Sequence, residues 1–405
     1  MLYDAYEVQR SWLANASRVA SMGAGWLNNP ANPLSYGSMG PIAAAALDVF
    51  AHAAAPRGKP EFGIQTVNVG KRQVAVFEEV VLRKPFGQLK HFRKAGIEGQ
   101  PKLLVVAPMS GHYATLLRGT VERMLPKHDV FITDWRDAKL VPLSDGGFDL
   151  DDYIDYLVEF LEAIGPGAHM LAVCQPSVPC YAAAALMSAD KHPCRPLTLT
   201  MMGGPIDTRK APTAVNTVAT QRPHAWFQQN VIATVPYLYP GGGRKVYPGF
   251  LQLAGFMAMN LGDHLTSHWE MFKHLVQGDG ESVDATKEFY DEYRAVCDMT
   301  AEFYLQTVDV VFQRHLLPKG KLMHRGRRVD PAAISDVALL AIEGERDDIS
   351  GVGQTRAALE ISTKLPNAMK QYHLAKGVGH YGIFNGSKWR ERIAPVVEDW
   401  IAKHR

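Results

Sequence analysis

The chain has 405 residues, of which 47% are hydrophobic and 21% charged, a globular mixture that argues against a disordered or fibrous protein. A formal net charge of +2 is too small to suggest nucleic acid or an anionic membrane as a partner. The four cysteines (Cys174, Cys180, Cys194 and Cys297) form no C-x-x-C pair and no metal-like spacing with histidine, which fits a reducing compartment.

At this length a large domain with an inserted or appended smaller one is expected. The first ten residues open acidic, with no apolar core ahead of a small-residue cleavage site, so no secretory signal is expected. The most apolar run, Met39 to Pro56, is broken by Asp48 and His52 and is too short to span a bilayer. A soluble cytoplasmic protein without a membrane span is the expectation. Within residues 1–60, Tyr6, Leu13, Ala16 and Ala20 share one helical face, with Trp12, Val19 and Trp26 as further apolar positions. Asn28 to Leu34 is a turn cluster, and an alanine-rich helix runs from Gly40 through His52. The favoured reading is a pair of helices packed on the main domain; the other is a docking segment for a partner or an apolar surface.

From residue 62 the pattern becomes strand-like. Phe62–Val69 and Arg72–Leu82 alternate around Gly70-Lys71 and read as a β-hairpin. Short apolar strands follow at Leu103–Ala107, Val130–Asp134, Met170–Cys174, Leu197–Met202, Ala338–Glu343 and Gln371–Leu374. Helices are expected between them, at Tyr113–Leu125, Leu150–Ile164, Pro179–Met187, Gln354–Leu365 and Lys388–His404, the last with Ser387 as its N-cap. Alternation of this kind predicts an α/β fold with a mostly parallel sheet covered on both faces. Residues 208–331 interrupt it with a helix-like, aromatic and methionine-rich stretch that includes Trp226, Phe227, Tyr237, Tyr239, Tyr247 and Phe250. Phe256, Met257, Met259, Trp269, Met271 and Phe272 continue the same stretch. The expected organisation is therefore an N-terminal helical segment (1–60), a core (61–207 and 332–405) and an inserted, mainly helical lid (208–331). The aromatics of the insertion read equally as a small second core or as a surface that meets substrate.

The strand ending at Cys174 turns sharply through Gln175-Pro176 into an alanine-rich helix. A strand driven into a helix by a tight turn is the geometry of a nucleophile elbow, with Ala172 and Pro176 where G-x-S-x-G has glycines and Cys174 at the nucleophile position. In α/β-hydrolase order the acid follows a late strand and the histidine a later loop. Asp347 lies just beyond the strand that ends in Glu343-Gly344, with Asp348 as its neighbour and competitor. His380 sits in the glycine-rich loop Gly377–Gly382. In such a site His380 takes the thiol proton, a carboxylate holds the imidazole, and Cys174 attacks a carbonyl carbon. The Gln175 N–H is the first oxyanion donor, and the loop Ala107–Tyr113 should supply the second, Ser110 before Met109. One such donor is worth roughly 10²–10³ in turnover. His112 and Asp134 read as structural neighbours of the strand ends, and Ser177 as a helix cap.

Four stretches together carry a resemblance: Pro108–Arg118, Thr133–Ala138, Ala172–Pro179 with its A-V-C-Q-P, and Gly344–Ser350. The chain resembles the intracellular polyhydroxyalkanoate (poly-3-hydroxybutyrate) depolymerases over almost its whole length, from Met1-Leu-Tyr to Val378–Gly386. The resemblance implies hydrolysis of a storage polyester at cytoplasmic granules, with no metal or nucleotide cofactor. It also implies a triad of Cys174, Asp347 and His380 working through an acyl-thioester. A polyhydroxyalkanoate synthase-like acyltransferase and a non-catalytic granule-associated protein are the alternatives. Water or coenzyme A as acyl acceptor, and a homo-oligomer, are left open.

Overall fold

Runs of apolar residues too short for helices build a nine-stranded sheet in the computed structural model, which describes residues 2–37, 39–56, 58–259, 291–292 and 294–405. The strands are β1 (Thr66–Val69), β2 (Arg72–Lys84), β3 (Gly87–Lys94), β4 (Lys102–Val106), β5 (Asp129–Trp135), β6 (His169–Val173) and β7 (Thr198–Met202). Four short strands are β8 (Ala233–Thr234), β9 (Lys245–Tyr247), β10 (Met299–Thr300) and β11 (Met323–His324). β12 (Arg327–Arg328), β13 (Ala338–Gly344) and β14 (Lys370–Ala375) complete the set. The main sheet runs β1-β2-β3-β5-β4-β6-β7-β13-β14, antiparallel from β1 to β5 and parallel from β5 to β14. Every residue of β6, β7 and β13 is buried, as central parallel strands covered by helices require. This is an α/β-hydrolase arrangement, and its reactive edge is the C-terminal end of the parallel strands.

The helices include α1 (Leu2–Leu27), α2 (Met39–Ala54), α3 (Arg118–Met124), α4 (Leu150–Ile164), α5 (Ser177–Ala189), α6 (Ala214–Gln221), α7 (His224–Asn230) and α8 (Gly249–Met259). α4 occupies the span its apolar stripe predicts, started by a capping box between Asp149 and Asp152. Several expectations change. β3 was not expected: only Leu89 and Phe92 stand out among its charged residues, yet both are fully buried because the strand is held between β2 and β5. The stretch expected to be helical from Gln354 to Leu365 is helical only over Ala357–Ile361. The last helical region is capped by Asn385, whose side chain accepts from Gly386 N–H, so Ser387 lies inside it.

The described part of 208–331 combines helices with the small antiparallel sheet β8-β9-β10. Much of its apolar content joins the main core: Phe303 packs against Tyr153 and Phe148 over α4, with Val311, Leu317 and Leu322 in the same cluster. Trp269, Met271 and Phe272 lie outside the described residues, as do the side chains of Phe256, Met257 and Met259. The N-terminal helices pair with each other, Ser17 donating to the Ala51 carbonyl. Their dock is the insertion: Tyr3 donates to Asp298 at 2.5 Å and Tyr6 stacks on Phe250. Among the described residues no helix is long and apolar enough to cross a membrane.

Candidate active site

β6 ends at Val173, and the next residue, Cys174, takes a φ of +66°. A left-handed conformation costs a non-glycine residue about 1–3 kcal/mol and persists only where surrounding contacts over-determine it. Here they do. Cys174 N–H donates to the Met202 carbonyl at 2.7 Å, tying the turn to β7, and Ser177 N–H donates to the Cys174 carbonyl at 3.0 Å. Gly203 and Gly204 close the other side: a Cβ on Gly204 would stand 2.0 Å from Ser177 Oγ, and one on Gly203 would stand 3.1 Å from the His380 ring. α5 then runs buried from Ser177 through Ser188, so Cys174 is mounted on a stiff strand-turn-helix. Cys174 itself is half-buried, not sealed in the core. Ser177 is not the cap it was expected to be; Pro176 holds that position, and the Ser177 hydroxyl is buried without a hydrogen-bond partner among the described residues.

β13 brings a row of acids to the same edge, and burial separates their roles. Glu343, fully buried, accepts from the N–H groups of Gly353, Thr355 and Arg356 and from the Tyr372 hydroxyl, which makes it a structural clamp on the following loop. Asp348 is exposed. Asp347 is buried: its Oδ1 accepts from Ile349 and Ser350 N–H at 2.9 and 2.8 Å, and its Oδ2 meets His380 Nδ1 at 2.7 Å. That bond fixes the ring's orientation and leaves the other nitrogen free to face the sulfur. Edge-on contacts with Tyr381 and Phe384 brace the imidazole. Burial works against the charged ring, but the Cys174 sulfur and the Asp347 carboxylate, by charge and by hydrogen bonds, outweigh it and raise the His380 pKa well above the ordinary imidazole value.

Across the turn, Met109 N–H donates to the Gln175 side-chain oxygen at 3.3 Å. Of the two donors expected from the loop after β4, Ser110 and Met109, it is therefore the Met109 amide that meets the Gln175 side chain. The same loop carries the insertion: Cys297 N–H donates to the Gly111 carbonyl at 2.7 Å, and His112 bridges to Val296. Asp134 is paired with Lys59 at 2.5 Å and with Gln88 at 2.8 Å. A cavity of about 380 Å³ opens elsewhere, between α1 and the insertion, lined by Tyr6, Arg10, Lys139, Phe250 and Asp298 but by none of Cys174, Asp347 or His380. Sequence reasoning passed over Glu343, the Gln175 side chain and the Gly203-Gly204 pair. The glycines did leave a signal, two in succession directly after an apolar strand.

A thiol, an imidazole and a carboxylate in this order can take a proton from sulfur and attack an acyl carbon. A protein family described as "PHB de-polymerase C-terminus" matches residues 203–405, the half that carries Asp347 and His380. The chain belongs to this family. It is accordingly an ester-bond hydrolase. No curated protein matches the chain. Among solved structures it is similar to a monoacylglycerol lipase from Paleococcus ferrophilus (13% identity, 76% of this chain and 97% of that one, TM-score 0.44). It is also similar to naproxen esterase (carboxylesterase NP) from Bacillus subtilis (12% identity, 82% and 92%, TM-score 0.44). A third is 2-hydroxy-6-oxo-6-phenylhexa-2,4-dienoate hydrolase from Rhodococcus sp. strain RHA1 (12% identity, 81% and 99%, TM-score 0.44). Strand order, not these distant likenesses, defines the fold of the family member described here.

Proposed function

We propose that the protein hydrolyses the ester bonds of poly-3-hydroxybutyrate with Cys174 as nucleophile, His380 as acid and base, and Asp347 as the group that orients His380. The observation that carries this reading is the buried 2.7 Å contact between His380 Nδ1 and Asp347, set against a cysteine on a left-handed turn. The family match to polyhydroxybutyrate de-polymerases supports the substrate.

In the proposed reaction the Cys174 sulfur attacks an ester carbonyl carbon while its proton resides on His380. Charge building on the carbonyl oxygen is taken up by the Gln175 and Met109 backbone N–H groups, once the Gln175 side chain has left the space. Collapse breaks the carbon–oxygen bond; the departing hydroxyl end of the polymer receives the proton from His380, and the acyl group remains on Cys174 as a thioester. Water then attacks the thioester, His380 accepting its proton, and the second tetrahedral species releases the carboxylic acid end and restores the thiol. The insertion (208–331) serves as the lid through its grip on the Gly111 loop, between the N-terminal segment (1–60) and a core made of 61–207 and 332–405. The site of action is the surface of cytoplasmic storage granules.

Trapping decides the matter. After brief incubation with amorphous polyhydroxybutyrate, mass spectrometry should find a hydroxyacyl adduct on Cys174 and oligomeric hydroxyacids in solution. Growth of polymer from hydroxybutyryl-coenzyme A would make the protein an acyltransferase instead. Undiminished granule breakdown by Cys174→Ala would remove the nucleophile.

A further inference from the structure

The outer face of the N-terminal hairpin is inside out. Along α1, Val8, Trp12, Val19, Met22 and Trp26 recur at helical spacing, which at about 100° per residue keeps all five within about 40° of one line. An ordinary surface helix turns such a stripe inward. This one buries Tyr3, Ser17, Ala20 and Ala24 on the opposite side and turns the large apolar side chains to solvent, Trp12 at 75% exposure and Met22 at 68%. The exposed run continues over the turn and into α2 through Leu34, Tyr36 and Met39, each more than half exposed. From Val19 to Leu47 the sequence contains no Asp, Glu, Lys or Arg, although such residues make up 21% of the chain. Contiguous apolar surface of this kind marks a contact site.

The missing charge selects the occupant. An anionic membrane or a nucleic acid would be met by lysine and arginine. A protein partner, a second copy included, is held in register by charged and polar groups around the apolar centre. From Val19 to Leu47 the hairpin has no charge to do either, its Asp4, Glu7, Arg10, Arg18 and Asp48 lying outside that run. An uncharged aliphatic solid asks for less: methylene and methyl groups to cover, and ester carbonyls that accept from Trp N–H and the exposed amides of Asn15, Asn28 and Asn29. The stripe is also connected to the site. Tyr3 and Tyr6 fasten α1 to Asp298 and Phe250 of the insertion, and Cys297 of the insertion is bonded to Gly111 beside the candidate oxyanion loop.

We propose that the N-terminal hairpin is the surface by which the protein adsorbs to solid, uncharged aliphatic polyester, lying on it through the Val8–Trp26 stripe and the turn that follows. This inference rests on the reading of the protein as a polyester depolymerase.

The test uses the full chain with Trp12→Ser, Val19→Ser, Met22→Ser and Trp26→Ser combined, and separately Met22→Lys, a single change at an exposed position. Three quantities are measured on each: co-sedimentation with protein-free amorphous poly-3-hydroxybutyrate particles, release of hydroxyacids from those particles, and hydrolysis of soluble p-nitrophenyl butyrate. Adsorption should weaken at least tenfold in the combined variant and severalfold in Met22→Lys. Particle hydrolysis should fall in step, with the soluble ester cleaved at the wild-type rate. Wild-type adsorption by both variants overturns the proposal while leaving the depolymerase reading intact. So does a wild-type dimer that becomes monomeric in the combined variant with adsorption unchanged, which would give the stripe to a second copy. Loss of binding to phosphatidylglycerol vesicles with particle adsorption retained would overturn it in favour of a membrane. Should the wild-type protein cleave the soluble ester and leave the polymer untouched, the depolymerase reading fails first and the hairpin proposal with it.

Discussion

The turn at Cys174 and the hairpin at residues 2–54 treat their side chains in opposite ways. At the turn, a conformation unfavourable for cysteine is held by two backbone hydrogen bonds and by glycines that leave no room for a Cβ. The hairpin leaves its largest apolar side chains outside and is fastened to the rest through Tyr3, Tyr6 and Arg10 on one side of α1. The difference teaches where precision is required. Attack on a carbonyl tolerates little misplacement, and the groups proposed for it sit on buried elements. Contact with a disordered solid needs area and neutrality, and an outward stripe on one helix supplies both.

Substitutions should separate the two regions most sharply at the sulfur. Cys174→Ala should lower the rate on a soluble ester by about 10⁴-fold or more with the melting temperature unchanged, as read by initial rates and calorimetry. Asp347→Asn should cost about 10²–10⁴ in turnover. It removes one of the groups that raise the His380 pKa, so the alkaline limb of the pH–rate profile should move to lower pH; an unmoved limb would mean that Asp347 does not set that proton. Gly204→Ala tests the packing behind the turn. A Cβ at 2.0 Å from Ser177 Oγ should destabilise the protein by about 1–3 kcal/mol in urea titrations and reduce activity with it.

A smaller, pH-dependent effect is expected where the hairpin is fastened. Asp298 is raised to about 6, by burial first and by the nearby Asp137 second, while the bond from Tyr3 favours its charged form. A carboxyl whose folded pKa lies above its unfolded one contributes most below the unfolded value, near 4, and loses that contribution as pH rises through about 6. Tyr3→Phe withdraws support from the ionised carboxylate, so its cost should approach about 1–3 kcal/mol at pH 8 and be smaller at pH 4.5. Urea midpoints at the two pH values measure this. Least of all, Trp12→Ser should change folding stability by no more than about 0.5 kcal/mol, because the side chain it removes is already in solvent.

Local pattern made much of this protein legible. Apolar strands alternating with helices give the α/β architecture, because a strand buried on both faces must be continuously apolar and its covering helix must be striped. The order of Cys174, the acids after β13 and His380 was likewise readable along the chain, as was the turn that follows β6. Other features came from contacts between residues far apart in sequence. β3 is a strand because β2 and β5 flank it, not because its charged sequence favours one. Asp347 and Asp348 are chemically identical in sequence, and only the loop from Gly344 to Ser350 buries one and exposes the other. Met109 rather than Ser110 faces Gln175 because of how the β4 loop curls over the turn. Even the direction of the α1 stripe was hidden, since periodicity reveals that a helix has an apolar side but not what, if anything, lies against it. Side-chain periodicity is a property of the local backbone, so sequence alone determines it. Burial and orientation depend on which surfaces meet, and those the tertiary structure decided.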